Sequence, residues 1–86
     1  MPEYQITFAR SARKELQALA VEFAERVLKK IETLALNPRP AGCRKLSGAK
    51  DLWRLRVGDY RVVYKIDDHR RLIDVAVIRH RREVYR

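Results

Sequence analysis

Cysteine is almost missing from this sequence: Cys43 is the single one among 86 residues. That excludes a disulfide framework and fits a reducing compartment. Histidine is equally sparse, with His69 and His80 only, and no His/Cys cluster has metal-ligand spacing. Asp67, Asp68 and His69 are adjacent, but on a loop-like stretch, so neither a metal nor a cofactor is expected. No apolar run approaches the ~18 residues a membrane span needs. The opening MPEYQITFARSARK lacks the apolar core of a signal peptide. A cytoplasmic protein that does not span a membrane is expected. Repeats, low-complexity stretches and long linkers are missing too, so residues 1–86 are expected to form one domain around one core.

What the sequence does have is positive charge. The formal charge is +9, from 20 Lys/Arg against 11 Asp/Glu. Residues 1–43 carry seven cations and five acids, a balance of +2; residues 44–86 carry thirteen and six, a balance of +7. Fourteen of the twenty cations are arginine, whose planar fork matches phosphate geometry better than the ammonium of lysine. A basic half-domain dominated by arginine points to nucleic acid or an acidic protein partner.

Periodicity supplies the elements. Tyr4, Ile6 and Phe8 alternate as in a short strand. From Ser11 to about Leu36, apolar residues at Leu16, Leu19, Phe23, Val27, Ile31 and Leu34 follow helical spacing. One straight helix of that length would run ~39 Å, longer than the ~30 Å diameter expected for a globule of this size. Two helices broken near Ala20–Val21 are therefore expected, with NPRP at 37–40 ending the second. LWRLRV, YRVVYKI and LIDVAVI then read as three strands. Only Gly58-Asp59 separates the first two, and the loop-like DDHR the last two. The expected fold is α+β: two N-terminal helices packed on a twisted antiparallel sheet in the order β-α-α-β-β-β.

The two-residue loop fixes a register. It sets Arg56 opposite Arg61 and Leu55 opposite Val62. Trp53, Leu55, Val57, Val62 and Tyr64 then share a core face, while Arg54, Arg56, Arg61 and Lys65 share the other. Like charges directly opposite disfavour a sheet, so an anion between them is the reason to expect the pair. Carrying the same arithmetic across DDHR puts Ala76 beside Arg61 and turns Asp74, Ile78 and His80 toward the arginine face. The tail RHRREVY arrives near the same patch. Trp53, Tyr60 and Tyr64 are read as packing residues, and Cys43 as inert.

KLSG at 45–48, LWRLRVGDYRVVYKI at 52–66 and HRREVY at 80–85 together resemble the RelE/ParE toxin superfamily, specifically its RelE branch, over nearly the whole chain. The resemblance implies the toxin of a type II toxin–antitoxin system. Its implied activity is ribosome-dependent, metal-free endoribonuclease cleavage of messenger RNA in the ribosomal A site, by 2′-hydroxyl attack on the adjacent phosphate. It also implies an antitoxin partner, acidic or amphipathic, that wraps the domain. The site residues it implies are Arg81, Arg61, Arg56 and Tyr85 for catalysis, with Arg54 and Arg56 on RNA phosphate; Lys45 and Lys65 are added to the phosphate-binding set as further cations. His80 joins the catalytic set because imidazole is the side chain suited to proton transfer at physiological pH.

Two departures bear on the chemistry. Relatives with lysine where Arg54 and Arg56 stand have a group able to lose a proton, whereas arginine stays protonated. The base is then Tyr85 or His80. Second, strict alternation aims His80 rather than Arg81 at the arginine face, unless a bulge near Arg79 reorients them. Two alternatives remain open at this point: a ParE-like inhibitor of DNA gyrase, and a nucleic-acid-binding module that does not cut.

Overall fold

The computed structural model describes residues 3–46, 48 and 51–80. Strand β1 (Gln5–Phe8) leads into helices α1 (Arg10–Ala18) and α2 (Val21–Thr33), followed by β2 (Arg44–Lys45), β3 (Leu52–Val57), β4 (Tyr60–Asp67) and β5 (Leu72–His80). The five strands form one sheet in the order β1-β5-β4-β3-β2. The helices carry the chain from one sheet edge to the other, and the β3–β4–β5 meander returns it to β1.

Two features differ from the expected plan. β1 runs parallel to β5, pairing Gln5 with Leu72 through Phe8 with Val75, so the sheet is mixed. A two-residue strand, β2, also adds to the β3 edge, pairing Arg44 with Arg54 and Lys45 with Trp53.

The helix break falls where chain length requires it. Leu19 and Ala20 are extended, with ψ of 150° and 147°, and neither helix has a side-chain cap at its start. α2 lays Val27 and Ile31 against the sheet, one turn apart, and Leu34 follows; all three are buried. Each such side chain contributes roughly 1.5–3 kcal/mol on burial. Opposite them lie Leu55, Val57, Val62, Tyr64, Ile66, Ile73, Val75 and Ile78. Phe23, expected on the same stripe, is 43% exposed, because α2 here reaches the hairpin end rather than the sheet centre. The radius of gyration is 12.2 Å. No helix among the described residues is long and apolar enough to cross a membrane.

Candidate RNA-binding face

The β3–β4 hairpin forms in the register its two-residue loop dictates, from Val57 opposite Tyr60 to Leu52 opposite Lys65. Gly58 has φ 59°, the positive value that primed hairpin turns require and that glycine adopts without steric cost. The core residues Leu55, Val57, Val62 and Tyr64 face the helices. Alternation therefore turns Arg54, Arg56, Arg61 and Lys65 to the other face.

On β5 the register differs from the one expected. A bulge falls between the pairs Val63–Val77 and Tyr64–Val75, leaving Ala76 as the extra residue. From there the phase of β5 is inverted. Arg79, not Ala76, stands opposite Arg61, while Ile78 lies opposite Val62 and is buried in the core. His80 follows Ile78 onto the helix side. It pairs with Tyr60, meets that ring edge-on at 5.3 Å between centroids, and lines a cavity of about 350 Å³ with Phe23 and Arg26. The expected turning of Ile78 and His80 toward the arginines is thus corrected; the bulge comes three residues before Arg79. Asp74 does lie on the arginine side, opposite Lys65, and accepts a 2.8 Å hydrogen bond from the Thr7 hydroxyl.

Lys45 is corrected as well. Strand partners share a face, so its pairing with Trp53 puts it on the helix side, and Arg44, opposite Arg54, takes its place. The open face then carries two rows. One runs Arg44–Arg54–Val63–Val77 and the other Arg56–Arg61–Arg79. By register, five arginines from four strands start from this face. Sequence reasoning missed Arg79 because a bulge leaves no residue signature at Ala76, and missed Arg44 because β2 is only two residues long.

The arginines differ in environment. Arg56 is exposed, Arg54 is half-buried, and Arg61 is 2% exposed. The Nε of Arg79 donates to Glu15 of α1 at 3.2 Å. Arg81 and Tyr85 lie outside the described residues.

A second polar cluster sits at the other end of the sheet. Asp68 accepts from both guanidinium nitrogens of Arg39, at 3.2 and 2.7 Å, and from the Tyr4 hydroxyl at 2.6 Å. The Arg39 hydrogen bonds, then that of Tyr4, hold the Asp68 carboxyl at about 2. Arg39 also lies 5.0 Å above the Trp53 ring, which accounts for Trp53 as a packing residue. Tyr64 is fully buried, and its hydroxyl donates to the Pro38 carbonyl at 2.8 Å; burial raises its pKa well above the ordinary phenol value. These contacts fix the 37–43 loop against the sheet. They are structural, and among the described residues no three His, Cys, Asp or Glu side chains gather as metal ligands.

Known proteins resemble this chain in sequence and fold. Residues 6–85 match the family described as ParE toxin of type II toxin–antitoxin system, parDE. An Escherichia coli protein described as a RelE-like toxin is 34% identical over 86 residues, covering 95% of this chain and 90% of its own. The RelE chain of the archaeal RelE–RelB complex from Pyrococcus horikoshii superposes with a TM-score of 0.82 at 30% identity, covering 92% of this chain and 96% of that one. Isolated Escherichia coli RelE superposes with a TM-score of 0.80 at 29% identity, covering 95% and 90%. The chain belongs to the RelE/ParE superfamily, among the toxins of type II toxin–antitoxin systems.

Proposed function

We propose that this toxin is a ribosome-dependent endoribonuclease that cuts messenger RNA in the ribosomal A site. The observation that carries the reading is the cross-strand pair Arg56–Arg61 with Arg44 and Arg54 beside it. Cleavage by 2′-hydroxyl attack needs negative charge stabilised on phosphorus, and fixed guanidiniums are preorganised donors for it. Arg56, Arg61 and Arg81 take that role, and Arg54 and Lys65 grip neighbouring backbone. With His80 turned to the helix side, Tyr85 is the residue we assign to the 2′-proton. The departing 5′-oxygen takes its proton from water on the open face. The 2′-hydroxyl requirement restricts the substrate to RNA.

The solved relatives from Pyrococcus horikoshii and Escherichia coli include toxin–antitoxin complexes. An antitoxin partner for this chain, acidic or amphipathic, would cover the basic face and steer to it electrostatically. The family description favours one second reading, a ParE-like protein that inhibits DNA gyrase. Primer extension on cellular messages after brief expression separates the two. Cuts at codon positions, lost in Arg61→Ala and Arg81→Ala variants that still fold, support the nuclease. Halted supercoiling without cuts supports the gyrase inhibitor and overturns the nuclease.

A further inference from the structure

Beside β3, where β2 pairs along its edge, lies a cavity of about 500 Å³. Its cationic lining is Lys30 from the last turn of α2, Arg44 from β2, and Arg54 and Arg56 from β3. The buried Leu55 and the backbone at Gly42 complete its wall. Among the described residues, no acidic one lines it. Arg39 and Arg79 are each paired with a carboxylate, yet among the described residues no ion pair reaches any of these four cations. Lys30 alone has an ordinary explanation, because a cation suits a helix C-terminus. That does not explain why three arginines from two strands meet it around one hollow. Arg61 does not line the cavity; Arg56 belongs to both the cavity and the Arg56–Arg61 pair.

We propose that this cavity is a second phosphate-binding subsite. Resting on the nuclease reading, it seats a phosphodiester of the same single-stranded RNA next to the one presented to Arg61. Lys30 and Arg44 are its distinctive members, and Arg56 joins the two positions. The strand thus crosses the β3 edge, with the reacting phosphate on the open face and its neighbour beside α2. Lys30, Arg44 and Arg56 are exposed, so they attract phosphate through water and the attraction weakens with salt. Such a site positions RNA and carries no sequence information, since every backbone phosphate is alike.

The test uses the full-length chain carrying Arg61→Ala, so that binding is read without depending on cleavage. A fluorescein-labelled hexauridylate is titrated by anisotropy from 50 to 300 mM salt, with circular dichroism verifying each variant's fold. Each neutralised phosphate contact on a single strand lowers the slope of log K against log salt by about 0.7, which at 0.1 M is about fivefold in affinity. Lys30→Ala and Arg44→Ala are each expected to lose that much, and the double variant about twice the slope. Lys29→Ala, one position away and outside the cavity, is expected to lose far less. An unchanged slope in the double variant overturns the subsite. So does an equal loss from Lys29→Ala, which would mean general positive charge only. If primer extension finds no cuts while the double variant still loses slope, the nuclease reading falls and the subsite stands.

Discussion

Replacing Arg56 by glutamine should make the protein more stable while weakening its hold on RNA. Arg56 stands directly opposite Arg61 and shares a cavity with Lys30, Arg44 and Arg54, so its charge faces cations on both sides. Two unit charges ~5.5 Å apart repel by about 3 kcal/mol at an effective dielectric of 20, and by under 1 kcal/mol in bulk water. Arg56 is exposed, which places the gain near the lower figure, about 1 kcal/mol. For a domain of this size that raises Tm by roughly 4–8 °C. Thermal melts followed by circular dichroism at 20 mM and 500 mM salt measure it. Screening shortens the reach of charge at high salt, so the advantage over the unaltered chain should shrink there. A variant less stable than the parent at low salt, or a gain independent of salt, would refute the idea that these cations are gathered at the expense of folding. A residue that costs stability and serves binding is a functional residue.

Three further outcomes follow from the fold. Ala20 begins α2 in extended backbone without a side-chain cap, so Ala20→Asp should add about 1 kcal/mol, read by urea denaturation. The Asp68 carboxyl is held at about 2 against an ordinary 3.8; its contribution is complete above that ordinary value and fades as pH falls through 2. With 57% of the side chain exposed, the contribution stays below about 1 kcal/mol. Asp68→Asn should therefore lower stability at pH 6 slightly and flatten the acid limb of the stability–pH curve. Tyr64→Phe removes the hydroxyl that donates to Pro38 and should cost about 0.5–1.5 kcal/mol by equilibrium unfolding.

Much of this architecture is legible in the sequence because its strongest signals are local. The Gly58-Asp59 loop alone fixes every pair of the β3–β4 hairpin, so Arg56 and Arg61 face each other as expected. The helix break follows from length against globule size, although Leu19 and Ala20 carry no turn residue. What could not be read is non-local. The parallel pairing of β1 with β5 joins segments more than sixty positions apart. The bulge at Ala76 depends on how β5 fits over the core, where Val75 and Ile78, three residues apart, are both buried. Positions three apart fall on opposite faces of a regular strand, so both reach the core face only because the bulge intervenes. Its consequence falls on the candidate site: His80 leaves the arginine face, and Arg79 takes the position opposite Arg61.

Cleavage of a defined message on programmed ribosomes, with one nucleotide's 2′-hydroxyl replaced by hydrogen in the A-site codon, tests the central claim most directly. The account predicts that the all-RNA message is cut there, leaving a 2′,3′-cyclic phosphate. It also predicts that the single deoxy substitution on the 5′ side of the scissile phosphate abolishes the cut. Equal cutting of both messages would contradict internal attack, and no cutting of either would contradict the nuclease itself.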